Sequence, residues 1–231
     1  MQKLPSFPKK TLQLLVIVIF CASAALLMAQ AKSSSTSANE PIPEWGAHGL
    51  EINNTLGNTP QQNPKMVKTS DGNYLAIWED SRFGFANLYA QKFDSRGNKL
   101  WDANGIVVCN NAANQTSAQL VADNAGGALI VWQDFRLENS DLYIQKLSAQ
   151  GDILLGTTGK PLCLAAAGQF APEITTDGYG GAIVAWHDYR SGGGEDIYAQ
   201  RVDTEGKMLW TKDGVPVCTA TGTQWLSLIH I

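Results

Sequence analysis

Three tryptophans, Trp78, Trp132 and Trp186, stand 54 residues apart, and the residues around them recur with them. A fixed period of that length marks a repeat architecture, in which each unit buries its apolar faces against its neighbours. The copies read Ile77-Trp78-Glu79-Asp80-Ser81-Arg82, Val131-Trp132-Gln133-Asp134-Phe135-Arg136 and Ala185-Trp186-His187-Asp188-Tyr189-Arg190, a W-x-D-x-R signature each time. A second block follows, Leu88-Tyr89-Ala90-Gln91-Lys92, Leu142-Tyr143-Ile144-Gln145-Lys146 and Ile197-Tyr198-Ala199-Gln200-Arg201. A third closes each unit from Gly105 to Cys109, Gly159 to Cys163 and Gly214 to Cys218.

Each unit divides into four predicted strands. The first is short (Lys65 to Val67, Gln119 to Ala122, Glu173 to Thr175) and ends in a turn at Asp71-Gly72, Asp123-Asn124 or Asp177-Gly178, where Asp and Gly suit tight turns. The second is a continuous apolar run, Tyr74 to Trp78, Ala128 to Trp132 and Ala182 to Trp186, which predicts burial on both faces. The third carries Tyr89, Tyr143 or Tyr198 and leaves through a glycine turn at Gly97, Gly151 or Gly206. The fourth ends at the cysteine, with Trp101 to Gly105 forming either a bulge or a second small turn.

Four-stranded units buried on both faces and repeated in tandem are what β-propeller blades require. The predicted fold is therefore all-β: a partial β-propeller of about three four-stranded antiparallel blades over residues 45–225, with units at about 54–109, 110–163 and 164–218. The tract from Trp45 to Asn53 matches the closing block alone and is expected as an unpaired N-terminal outer strand. Trp78, Trp132 and Trp186, with Tyr89, Tyr143 and Tyr198, form the predicted structural core of the repeat. Each indole should lie between blades, removing roughly 150–250 Å² from water.

The N-terminus predicts export. A basic stretch ending in Lys9-Lys10 precedes an apolar run from Leu12 to Met28 and the small residues of Ala29-Gln30-Ala31, the pattern of a secretory signal over residues 1–31. The run is also long enough for an uncleaved anchor; after cleavage no membrane span is expected. Phe20 before Cys21 is too large for a lipoprotein site. Residues 32–44, with Ser33-Ser34-Ser35-Thr36-Ser37 and Pro41-Ile42-Pro43, read as a disordered linker. Removing the leader takes away three lysines and no acid, leaving 14 basic residues against 21 acidic, a charge of −7. Such a surface excludes nucleic acid as a partner. The predicted location is secreted or cell-surface.

The W-x-D-x-R and Tyr-x-Gln blocks resemble the tandem-repeat, propeller-like ectodomains of exported bacterial proteins, many of them grouped with the sialidase-like propellers. The resemblance spans residues 45–225 and implies an extracellular glycan or protein as partner. In that group such repeats often precede a carboxy-terminal sorting domain. No segment matches the S-x-D-x-G-x-T-W box typical of sialidase-like enzymes. The final residues, Leu226 to Ile231, break the repeat and look like the translated end of a transposon-derived sequencing adapter, which predicts a non-native tail and a truncated frame.

The site candidates are Asp80, Arg82, Asp134, Arg136, Asp188 and Arg190. Ringed on one propeller face, they could hold an anionic or polyhydroxyl ligand through bidentate guanidinium contacts. Alternatively each pair ties its loop to a neighbouring blade, a reading that their equal repetition favours. The loop after the signature is longer in the third unit, near Ser191-Gly192-Gly193-Gly194-Glu195, and Phe83, Phe85, Phe135 and Tyr189 place aromatic surface nearby. His187 shares a variable slot with Glu79 and Gln133 and is expected to be an exposed polar residue. Cys109, Cys163 and Cys218 are predicted as buried free thiols, since blade spacing exceeds the ~7 Å limit for a disulfide. No catalytic group, metal site or cofactor is expected. The functional expectation is an exported, non-catalytic binding or structural module; the alternative is a fragment of a glycoside-active or other hydrolytic propeller.

Overall fold

The computed structural model describes residues 51, 52 and 59–224. The predicted leader, linker and non-native tail lie outside the described residues. So does the tract from Trp45 to Asn53, apart from Glu51 and Ile52, which belong to no strand.

Twelve strands form three sheets, with no helix among the described residues. Blade 1 contains β1 (Gln61–Lys68), β2 (Tyr74–Asp80), β3 (Asn87–Phe93) and β4 (Ile106–Val107). Blade 2 contains β5 (Gln115–Ala122), β6 (Ala128–Asp134), β7 (Asp141–Leu147) and β8 (Lys160–Cys163). Blade 3 contains β9 (Gln169–Thr176), β10 (Ala182–Asp188), β11 (Asp196–Val202) and β12 (Val215–Cys218). Within each blade the strands pair antiparallel in chain order. β1 lies beside β5 and β5 beside β9, so the first strands of successive blades are neighbours on the axial side. This is the partial propeller that the repeat predicts.

The second and third strands are buried along nearly their whole length, because each is covered on both faces. Trp132 sits in an apolar cluster shared by blade 1 (Leu75, Ile77, Leu88) and blade 2 (Leu120, Ile130). Trp186 occupies the same place between Leu129, Val131 and Ile144 of blade 2 and Ile174 and Val184 of blade 3. Each indole also closes over a glycine of its own blade. A Cβ at Gly105, Gly159 or Gly214 would lie 2.4–2.5 Å from the Cη2 of Trp78, Trp132 or Trp186. These glycines have φ of +77°, +73° and +88°, a region that residues with a Cβ rarely adopt.

Two boundaries differ from expectation. The first strand is longer than its apolar centre, because it continues through a bulge between Gln62 and Lys65, Thr116 and Gln119, or Phe170 and Glu173. The bulge places Asn63, Ser117 and Ala171 at φ of +54°, +55° and +47°, breaking the apolar alternation that marks a strand in sequence. Between the third and fourth strands the chain forms a second small turn, in which the amides of Gly105, Gly159 and Gly214 donate to the carbonyls of Asp102, Gly156 and Thr211.

Candidate functional site

The W-x-D-x-R residues come together within each blade as one layered assembly. The indole N–H of Trp132 donates to Asp134 Oδ2 at 2.8 Å. Arg136 donates to the same oxygen through Nη2 at 2.6 Å and to Oδ1 through Nε at 2.7 Å. Its backbone amide also reaches Oδ1, at 3.0 Å. The guanidinium lies 3.8 Å from the centroid of Tyr143, and that ring stacks on Trp132 at 6.2 Å. Asp188, Arg190, Tyr198 and Trp186 repeat this arrangement, as do Asp80, Arg82, Tyr89 and Trp78. The register causes it: Trp and Tyr face each other across the second and third strands, and Asp stands two residues beyond Trp on the same face.

All three aspartate side chains are buried and both their oxygens are engaged by their own blade. Burial pushes the Asp80 carboxyl up, but the hydrogen bonds from Arg82 and Trp78 outweigh it and hold the group below the ordinary carboxylate range. Arg136 Nη2 extends further, to the carbonyl of Thr158 at 2.9 Å and to Cys109 Sγ of the preceding blade at 3.3 Å. Arg190 does the same with the carbonyl of Asp213 and with Cys163 Sγ at 3.2 Å. Burial is the main force raising the Cys109 and Cys163 thiols, to about 11 and about 12. All three C-terminal cysteines are free; Cys218 is only partly buried.

A second repeated ionic contact sits at the opposite end of the blades, in residues that the sequence presents only as turn formers. Lys92 Nζ donates to Asp71 at 2.6 Å and crosses to the blade 2 carbonyls of Gly126 and Ala149 at 2.7 and 3.2 Å. Lys146 lies 3.6 Å from Asp123 and donates to the blade 3 carbonyl of Thr204 at 2.6 Å. Arg201 pairs with Asp177 at 2.9 Å. The invariant Lys or Arg at the end of the Tyr-x-Gln block was the available signal for this pairing.

The variable slot corrects an expectation. Glu79, Gln133 and His187 are buried, none more than 7% exposed. Glu79 and Gln133 face inward to meet the neighbouring blade: Glu79 Oε1 accepts the Ser117 amide at 2.9 Å, and Gln133 Oε1 accepts the Ala171 amide at 3.0 Å. Each thus anchors the bulge of the next blade. His187 Nδ1 lies 3.3 Å from Glu195 Oε2, and Glu195 also accepts the Tyr189 hydroxyl.

The bulges line a cleft of about 490 Å³ on the axial side, bounded by Asn63, Lys65, Ser117, Gln119, Ala171 and Glu173 with Pro64, Ala118 and Pro172. At two of the three equivalent positions every blade carries a different residue: Lys65, Gln119 and Glu173 at one level, Asn63, Ser117 and Ala171 at another. Gln119 donates to Glu173 at 3.3 Å. The sequence signal was variation at fixed repeat positions beside invariant ones. Among the described residues no group of three metal-ligating side chains occurs, and no helix is long and apolar enough to cross a membrane.

No protein-family model matches the sequence, and no curated protein matches it. Among solved structures, an α-L-arabinofuranosidase from Fusarium graminearum is similar with a TM-score of 0.48 at 14% identity, over 70% of this chain and 51% of that one. An endo-arabinase from Bacteroides thetaiotaomicron is similar with a TM-score of 0.42 at 10% identity, over 67% and 57%. The chain thus spans little more than half the length of either enzyme. Similarity at this level transfers neither residues nor activity.

Proposed function

We propose that the chain is the repeat-built part of an exported binding propeller in which W-x-D-x-R is scaffold and a ligand is met at the axial cleft. One observation carries this reading. The invariant charged residues are consumed inside the blades, whereas Lys65, Gln119 and Glu173, which differ between blades, line one concave surface. A repeated motif maintains a repeated contact; a site for one asymmetric molecule needs positions released from the repeat. The cleft offers an ammonium, an amide and a carboxylate beside proline and alanine surface, which suits an extracellular glycan or peptide with both donors and acceptors. Export rests on the basic and apolar leader ending at Ala29-Gln30-Ala31.

The test is a glycan and peptide array probed with the full chain, followed by Gln119→Ala and Glu173→Gln. A ligand whose binding falls at least tenfold in these variants, and is unchanged in Asp152→Asn at an exposed turn, supports the reading. A ligand indifferent to both cleft variants overturns it.

Glycoside hydrolysis by a longer chain is the second reading, favoured by Glu173 as the one acid lining the cleft. Hydrolysis of this kind uses two carboxyl groups, so a partner would have to come from beyond the described residues. Turnover of aryl glycosides by a longer chain, abolished by Glu173→Gln, would establish it.

A further inference from the structure

The first residue of the third strand is Asn87 in blade 1, Asp141 in blade 2 and Asp196 in blade 3. Each stands opposite the aspartate of its W-x-D-x-R signature. Asp141 is 4% exposed and Asp196 5%, yet no hydrogen bond or ion pair reaches either carboxylate from the described residues. The adjacent guanidiniums of Arg136 and Arg190 are committed to Asp134 and Asp188. Both residues line open grooves and neither carboxylate is sealed from them, so a cation entering from outside can reach each charge.

Both acids open into equivalent grooves between the signature loop and the segment after the fourth strand. The blade 2 groove, about 580 Å³, is lined by Leu137, Asn139 and Leu164 together with Asp141, Glu138 and Arg136, whose guanidinium is paired with Asp134. The blade 3 groove, about 500 Å³, is lined by Ser191, Pro216, Thr219 and Ala220 together with Asp196. Leu137 and Leu164 are 54% and 42% exposed, giving the blade 2 groove aliphatic walls above an acidic floor.

We infer that these two grooves seat cationic side chains of a basic peptide segment, each with its aliphatic stem against the walls and its ammonium on Asp141 or Asp196. The charge of the floor selects a cation, and the walls select one carried on a hydrocarbon stem. Calcium or magnesium fits poorly: each takes six or more oxygens, and the oxygens of Asp134 are already bound by Trp132 and Arg136. Blade 1 supplies an internal control, because Asn87 lacks the charge. The side-chain oxygen of Asn87, unlike those of the two acids, is sealed without a partner. Burial chiefly, and then the charge of Asp134, raise Asp141 to about 6 against the pull of Arg136, with Asp213 adding to the rise. A bound ammonium would reverse that, so binding in the blade 2 groove weakens as pH falls below about 6. These grooves are separate from the axial cleft, and the inference stands or falls independently of it.

The experiment titrates the isotopically labelled full chain with n-butylammonium and, separately, n-butanol, following backbone amide resonances. Butylammonium is expected to shift residues 136–141 and 164–166 and the equivalent blade 3 segments, while leaving the surroundings of Asn87 unmoved. Asp141→Asn should weaken the blade 2 response at least tenfold and spare blade 3. An equal response to butanol, a blade 2 response that survives Asp141→Asn, or no response in either groove at saturating probe would overturn the inference.

Discussion

Arg136 donates through Nη2 to the Sγ of Cys109, 27 residues earlier and on the preceding blade, across 3.3 Å. That contact joins the ion pair of one blade to the closing strand of another. Arg136→Ala leaves Asp134 buried without its cation, and such losses cost about 3–5 kcal/mol. Arg82 makes the same pair with Asp80 at 2.6 Å, but its Nε is buried without a hydrogen-bond partner. Urea denaturation should therefore show Arg82→Ala to be milder, by about 1 kcal/mol for the missing hydrogen bond.

Gly159 is expected to be intolerant of a single methyl. A Cβ there would lie 2.4 Å from Trp132 and 2.9 Å from the Ile144 carbonyl at a φ of +73°. Gly159→Ala should cost about 2–4 kcal/mol, from overpacking and left-handed strain together. Gly156→Ala, at φ of +82° with nothing within 4 Å, should cost only about 1 kcal/mol. Thermal melts of the two variants separate close packing from backbone conformation.

Lys92 gives the blade 1 to blade 2 contact a dependence on acid. Burial pushes the Asp71 carboxyl up, but the hydrogen bonds from Lys92, Thr69 and Asn73 outweigh it and hold the group far below its ordinary value. A depressed carboxylate stabilises the fold above its unfolded pKa of about 3.9 and loses that stabilisation as pH falls through the folded value. Lys92→Met should lower the melting temperature at pH 7 and narrow the difference from the parent chain as pH is taken below 4. A difference that stays constant with pH would contradict the pairing.

Asp141 should behave in the opposite sense. Its carboxyl is raised to about 6, so the fold favours the protonated form. The associated stability is present below the unfolded pKa of about 3.9 and lost as pH rises through about 6. In the absence of ligand, Asp141→Asn should match the parent chain near pH 4 and melt at a higher temperature at pH 7–8.

Alkylation should distinguish the thiols. Cys109 and Cys163 are buried and raised to about 11 and about 12, so at pH 8 neither presents thiolate to a reagent in the folded chain. Iodoacetamide followed by peptide mapping should label Cys218 first of these three.

The repeat by itself determined the all-β architecture, the number of described blades, the stacking of Trp132 and Trp186 between blades and the turns at Gly97, Gly151 and Gly206. These follow from periodicity and from local backbone preference, which neighbouring residues carry in plain view. The tertiary structure decided what the invariant polar residues touch. Asp134 and Arg136 are two residues apart, but the partners that complete their environment are Cys109, just past β4 of the preceding blade, and Thr158, in the turn before β8. The slot of Glu79, Gln133 and His187 looked exposed because its residues are polar; the amides that turn Glu79 and Gln133 inward belong to bulges of the next blade, and His187 meets Glu195 of its own blade. Likewise the alignment of Lys65, Gln119 and Glu173 along one cleft arises only when three first strands stand side by side. Composition and spacing report the demands of a single strand, whereas the satisfaction of a buried polar group depends on which strands meet.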